Sequence, residues 1–313
     1  MDKVALIGAG LIGQAWAIMF ARAGRPVVLY DPAPAVLERA RGGIAGRLED
    51  LLAVGLIDDP AAVLKRVTYV GDLATALAGA GYVQESGPER VEVKQAIYTE
   101  LDRLADPATI LASSTSGITA SNFTAHLPGR ARCLVAHPIN PPYLVPLVEL
   151  CPAPWTDPAV VDRTYEFMRS VGQAPIRLKH EVQGFIANRM QAALIGAALR
   201  MVEDGVASAD DIDIAIRDGI GLRWCFMGPF ETIDLNAPGG IADYLRRYGP
   251  LYQAIEHEHG PLEWTADALL GKVEAGRREV LAEAELPARS AWRDRRLMAL
   301  VAHKRKAPSE IGE

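Results

Sequence analysis

The stretch VALIGAGLIG, Val4 to Gly13, constrains this chain more than any other. An apolar run leads directly into glycines at positions 8, 10 and 13. A β-rich run that breaks into G-x-G-x-x-G and continues as a helical pattern fits a strand, a tight turn and a helix. In that geometry Gly8 permits the turn, Gly10 lets the backbone approach a pyrophosphate, and Gly13 lets the helix lie close to the strand. The phosphates then sit at the helix N-terminus, beside Leu11 and Ile12, where unpaired N–H groups and the helix dipole favour negative charge. Asp31 strengthens the pattern. It ends the apolar run VVLYD, 18 residues after Gly13. A carboxylate there accepts hydrogen bonds from adenosine ribose hydroxyls and repels a 2′-phosphate, which favours NAD over NADP. The competing reading is a Gly-rich turn with a capping aspartate.

With 313 residues, half of them apolar, the chain has room for one large or two ordinary domains. Its first half alternates β-rich and helical runs. KVALIGAG, PVVLYD, VTYVGD, AGYVQES, TILASSTS and CLVAHPIN read as strands. IGQAWAIMFARAG, the stretch from Pro34 to Leu52, and RVEVKQAIYTELDRLA read as helices. This order predicts a parallel sheet wrapped by helices. From GFIANRMQ onward helical periodicity dominates, with a break near Lys179–Val182. The expected fold class is α/β, a Rossmann-like domain over residues 1–181 followed by an all-helical domain over residues 182–313.

Charge and composition narrow the partners. A net charge of −6 gives no electrostatic case for nucleic acid or an anionic membrane. No apolar run reaches the ~18 residues of a spanning helix. The opening MDKVALIGAG has no basic leader before an apolar core. Cys133, Cys151 and Cys225 match no zinc or disulfide spacing. A cytoplasmic protein without a metal is the simplest expectation. His257 and His259, in HEH, point to different faces of a helix and read as solvated rather than metal-binding. The basic stretch WRDRRLMALVAHKRKAP reads as a structural helix.

A second constellation lies in LVAHPINPPYLVPLVELCP, Leu134 to Pro152. His137 ends an apolar run, where open α/β sheets bind ligands. Pro141 and Pro142 force an extended or turning segment, and VPLVEL then delivers Glu149. An imidazole held by a carboxylate is a good general base, because the carboxylate fixes the tautomer and stabilises the imidazolium. Taken singly, His137 also reads as a hydrogen-bonded turn residue and Glu149 as a strand-edge carboxylate. LASSTSG offers hydroxyls at the end of another strand, or a polar junction with Thr119 or Ser121 as a helix cap. Asn188 is a polar residue in a largely apolar helix.

Together these pieces resemble the 3-hydroxyacyl-CoA dehydrogenase superfamily. The resemblance rests on GAGLIG, the Asp31 strand end, ESGPERVEVK, SSTSG, HPINP, LVEL, GFIANR and GPFE, in that order. Within it, AHPINPPYLVPLVEL, DGIGLRWCFMGPFETIDLNAPGG and WRDRRLM look most like the lambda-crystallin/L-gulonate 3-dehydrogenase branch. The resemblance implies His137 as general base, Glu149 as its support, Ser116 and Asn188 on the reacting oxygen, and Asn140 supporting the site. It also implies Glu89 and Lys94 near NAD, and a homodimer built on the helical domain. In the family's serine motif an Asn often precedes the Thr; Ser114 stands there and takes no role from the family.

The implied reaction is oxidation of a 3-hydroxyl, with its proton taken by His137 and its hydride by NAD; no metal is called for. Arg223, in GLRWCFMGP, favours a substrate with a free carboxylate, since a guanidinium matches a carboxylate with two parallel donors. A salt bridge at a surface or interface is its competing role. The expected substrate is thus a small free 3-hydroxy acid of the L-gulonate kind. The alternatives are a short-chain L-3-hydroxyacyl-CoA thioester, carnitine with an aromatic or acidic enclosure for its cation, and a non-catalytic crystallin-like or nucleotide-sensing protein.

Overall fold

The computed structural model describes residues 1, 3–257 and 267–311. Eight strands form one sheet: β1 (Val4–Ile7), β2 (Val27–Tyr30), β3 (Val67–Val70), β4 (Tyr82–Glu85), β5 (Ile110–Ser113), β6 (Cys133–Pro138), β7 (Leu147–Pro152) and β8 (Ala174–Arg177). Their order is β3-β2-β1-β4-β5-β6-β7-β8. Strands β1 to β6 run parallel to one another. The order reverses between β1 and β4, and the loops that follow those two strands open a crevice at the carboxyl ends.

Alternation along the strands explains the layering. Val4 and Leu6 of β1 enter one core, Ala5 and Ile7 the other. All four residues are buried, as expected of a parallel strand covered on both faces. The first core is filled by α1 (Leu11–Arg22), α2 (Pro34–Ala53), α3 (Pro60–Leu64) and, further along the chain, the helix over Pro158–Ser170. The second is closed by α4 (Leu73–Leu77), α5 (Val91–Leu104) and α6 (Ser121–Thr124). The Pro158–Ser170 helix, α7, stacks Phe167 on Phe20 of α1 with ring centroids 5.6 Å apart.

The parallel arrangement of the six patterned strands ends at β7. It pairs antiparallel to β6, and β8, a short strand the apolar patterning does not mark, pairs parallel to β7. The physical cause is the connection: only eight residues separate β6 from β7, too few for the crossover that parallel neighbours need.

The chain divides into two compact units, residues 1–188 with 290–313, and residues 189–289. By contacts the division falls between residues 188 and 189, and the C-terminal segment groups with the first unit. The reason is the last helix, α14 (Leu286–Ile311). Its Met298 is buried in the first core, with Leu297, Val301 and Ala302 packed against it. Arg305 Nη1 also donates to the Leu56 carbonyl at 3.3 Å.

The second unit is helical throughout its described residues. It contains most of α8 (Ala187–Glu203), then α9 (Ala209–Ile214), α10 (Gly221–Trp224), α11 (Pro229–Asp234), α12 (Gly240–His257) and α13 (Asp267–Val280). Ser208 and Asp211 cap α9 reciprocally, and Arg277 of α13 reaches Asp213 at 3.1 Å. His259 and the side chain of His257 lie outside the described residues. No helix among the described residues is long and apolar enough to cross a membrane.

Candidate active site

The three glycines have three distinct physical tasks. Gly8 adopts φ +101°, and a Cβ on it would lie 2.7 Å from the Ser86 carbonyl oxygen. A Cβ on Gly13 would lie 1.9 Å from the Gly8 carbonyl oxygen, so the close approach of α1 to the turn requires glycine. A Cβ on Gly10 would meet nothing within 4 Å; it would project into open space at the helix N-terminus. The first intrahelical hydrogen bond of α1 runs from Gln14 N to Gly10 O. That leaves the amides of Leu11, Ile12 and Gly13 without helical partners and able to receive an anion.

A cleft of about 790 Å³ runs from this helix end to the second strand, lined by Gly8, Gly10, Tyr30, Asp31, Ser86 and Pro88 among others. Asp31 is anchored at its mouth. Its Oδ2 accepts from Ala9 N at 3.1 Å and its Oδ1 from Ala33 N at 3.0 Å. The carboxylate thus stands at the end of β2 with lone pairs left for a ribose diol. Glycine-lined space, a free helix end and a fixed carboxylate together fit a dinucleotide.

His137 and Glu149 are direct cross-strand partners in the β6–β7 pair. Their 12-residue separation in sequence is the length of one hairpin. His137 Nδ1 lies 2.8 Å from Glu149 Oε2, and both side chains are buried. The other oxygen, Oε1, accepts from the amides of Ile186 and Ala187 at 2.8 and 2.9 Å, where α8 begins. Burial pushes the Glu149 pKa up, but the His137 hydrogen bond and the two amides outweigh it and hold the carboxyl below its ordinary value. With Nδ1 turned to Glu149, Nε2 is the nitrogen left to take a proton.

The turn that aims those amides is strained. Phe185 is fully buried with φ +52° and its ring centroid lies 5.3 Å from that of His137. A left-handed conformation costs such a residue on the order of 1–3 kcal/mol and persists only where packing fixes it.

The hydroxyl-rich loop after β5 is organised by one carboxylate. Glu89 Oε1 accepts from Thr115 Oγ1 at 2.5 Å, Ser116 N at 2.9 Å and Gly117 N at 3.2 Å. Partial burial raises the Glu89 pKa; these donors and Lys94 more than offset it, so the carboxyl titrates low. Asn188 Nδ2 donates to the Ser116 carbonyl at 2.7 Å. The structure therefore brings Glu89, Ser116 and Asn188 together, all within the first unit, with the next residues N-terminal to Asn188 holding Glu149.

Lys94 sits behind them rather than on the cleft wall. It is buried and bridges both oxygens of Glu85 at 3.0 Å, with Glu89 Oε2 at 3.6 Å. Glu85 is completed by Ser113 Oγ and Gly87 N, each at 2.6 Å. Glu85 escapes sequence reasoning because its link to Lys94 crosses a strand-to-helix turn and follows neither strand nor helix periodicity. Asn140 is exposed on the β6–β7 loop. Arg223 is exposed on α10 of the second unit.

Comparison with known proteins gives this architecture relatives. The NAD-binding domain family of 3-hydroxyacyl-CoA dehydrogenases matches residues 3–182, and the family of their C-terminal domain matches residues 184–278. A lambda-crystallin homolog from Bos taurus is 43% identical over 310 residues, covering 97% of this chain and 96% of the relative. An L-carnitine dehydrogenase from Burkholderia mallei is 36% identical over 310 residues, covering 96% and 94%. A solved structure described as 5-formyl-3-hydroxy-2-methylpyridine 4-carboxylic acid 5-dehydrogenase, an NAD-dependent dismutase, superimposes with a TM-score of 0.81. It is 30% identical and covers 97% of this chain and 98% of its own.

Proposed function

Because the chain belongs to the 3-hydroxyacyl-CoA dehydrogenase family, whose members oxidise a 3-hydroxy group with NAD, we propose that its substrate is a small free 3-hydroxy acid of the L-gulonate kind. The observation that carries the chemistry is the buried His137–Glu149 pair with Nε2 left over. When bound, NAD supplies the hydride acceptor. His137 Nε2 takes the hydroxyl proton, and Glu149 holds the ring in position and offsets the charge it gains. Ser116 and Asn188 face the oxygen on which negative charge accumulates in the reverse direction, and Glu89 fixes the loop that carries Ser116. Gly8, Gly10, Leu11, Ile12, Gly13 and Asp31 hold the dinucleotide. Lys94 acts through Glu89, and Asn140 supports the loop after His137.

Two considerations support the free acid. The dismutase with a similar fold is named for a carboxylic acid, and Arg223 supplies a guanidinium for a carboxylate. The family's name favours the second reading, an acyl-CoA thioester. Initial rates of NADH formation with L-gulonate, L-3-hydroxybutyrate and L-3-hydroxybutyryl-CoA decide between them. A higher kcat/KM for a free acid, raised KM on Arg223→Ala and unchanged kcat are the expected results. Preference for the thioester overturns the free-acid reading and makes Arg223 structural. His137→Asn lowers kcat by about 10²- to 10⁴-fold while NADH still binds; full activity in that variant removes the assigned base.

We further propose that the chain is a homodimer joined through its second unit. That unit leaves large apolar side chains exposed, among them Met190, Phe226, Phe230 and Leu235, each at least 65% accessible.

A further inference from the structure

Behind the cofactor cleft lies a polar chain that the proposed reaction does not use. The Tyr82 hydroxyl donates to Gln84 Oε1 at 2.6 Å. Gln84 Nε2 donates to the Ala136 carbonyl at 3.1 Å and to Ser114 Oγ at 2.7 Å. Trp16 Nε1 donates to the same Ser114 oxygen at 3.0 Å, and Ser86 Oγ lies 2.9 Å from it. Trp16, Tyr82 and Gln84 are fully buried. The chain links α1, the end of β4 and the loop after β5.

Elementary donor and acceptor chemistry fixes every direction in it. An indole N–H only donates. A carbonyl only accepts, so the amide nitrogen of Gln84, and not its oxygen, must face Ala136; its second hydrogen then points to Ser114. A hydroxyl oxygen has two lone pairs, and both of those on Ser114 are taken, by Trp16 and Gln84. Ser114 cannot accept a third hydrogen bond, so it gives its own proton to Ser86. The Ser86 hydrogen is then the one left over, and Ser86 lines the same cleft as Gly8, Gly10 and Asp31. Its carbonyl also covers the place where a side chain on Gly8 would go.

We propose that Ser86 is a dedicated hydrogen-bond donor to an acceptor oxygen of the bound dinucleotide, a pyrophosphate or ribose oxygen, and that Trp16, Gln84 and Ser114 lock it in that role. Such locking removes the orientational cost that a freely rotating hydroxyl incurs on binding. Ser86 is the binding residue; the other three are positioning residues. The assignment rests on NAD as the cofactor and not on which hydroxy acid is oxidised.

The test is the Kd of NADH, read by fluorescence titration of the full chain without substrate. Ser86→Ala weakens binding about tenfold, whereas Ser86→Thr, which keeps the hydroxyl, stays within about threefold of wild type. Ser114→Ala weakens binding alone but adds nothing in the Ser86→Ala background, because its effect runs through Ser86. A Ser86→Ala Kd within about threefold of wild type overturns the proposal. Additive effects of the two alanine variants overturn the locking by Ser114. Should Ser114→Ala fail to fold, the Ala and Thr variants of Ser86 decide the binding role. A failure of the free-acid reading shows only in turnover and leaves this titration untouched.

Discussion

At the scale of single residues, the same amino acid carries opposite duties a few positions apart. Gly13 is required by the fold, whereas Gly10 borders open space where the proposed dinucleotide would lie. Gly13→Ala drives a methyl into the Gly8 carbonyl and is expected to cost at least about 3 kcal/mol in chemical denaturation. Gly10→Ala has room for its methyl in the free protein, so stability should stay within about 1 kcal/mol of wild type while NADH affinity collapses. Equal stability losses in the two variants would contradict this division. Glu149 makes a prediction of pH dependence. Its carboxyl titrates below the ordinary value of 4.5 in the folded chain, so between the two values the unfolded chain binds more protons. Its contribution to stability is fully present above pH 4.5 and is lost as pH falls through the folded value. Melting temperatures measured from pH 6 downward should therefore fall less steeply below about pH 4.5 in Glu149→Gln than in wild type. The glycines and Asp31 were legible in sequence because each answers to a local backbone rule. The opposing roles of Gly10 and Gly13 emerge only when the neighbouring turn is placed.

At the scale of elements, the site is assembled where strand ends meet a helix start. β6 and β7 set His137 opposite Glu149, and the strained turn at Phe185 points two amides of α8 at the same carboxylate. β4 and α5 contribute the Glu85–Lys94 pair, which is buried and joined by two hydrogen bonds, with Ser113 and Gly87 also donating to Glu85. Removing one partner of such a pair strands the other charge. Lys94→Met is expected to cost about 3–5 kcal/mol, and the double variant Glu85→Gln/Lys94→Met should recover part of that loss. Urea denaturation of the three proteins measures it; a double variant no better than the single one would show that the lysine's packing matters more than its charge. Strand and helix runs of the first half were readable from hydropathy, including VVLYD and CLVAHPIN. The antiparallel turn into β7 and the short strand β8 were not, because pairing direction depends on connection length and on which edge is open, and apolar patterning reports neither.

At the scale of the whole molecule, the exposed apolar side chains of the second unit lead to the expectation of a dimer in sedimentation at micromolar concentrations. Phe230→Asp should shift it to monomer, and a wild-type monomer at those concentrations would remove the dimer proposal. The return of α14 to the first core is another whole-chain feature. Its sequence reads as a structural helix, and the docking of Met298 shows that it packs into the first core. The sequence by itself determined the strand–turn–helix with its three glycines, the placement of Asp31 at the end of the second strand, the change from α/β to helical patterning, and the family motifs around His137. These are local: they follow from φ, from side-chain alternation and from residue spacing within one element. Only the tertiary structure decided that β7 reverses, that Lys94 is spent on Glu85, that Glu149 is gripped by the start of α8, and that Ser114 hands its proton to Ser86. Each of those depends on groups far apart in the chain competing for a limited number of buried donors and acceptors, and that competition is settled only once the elements are packed.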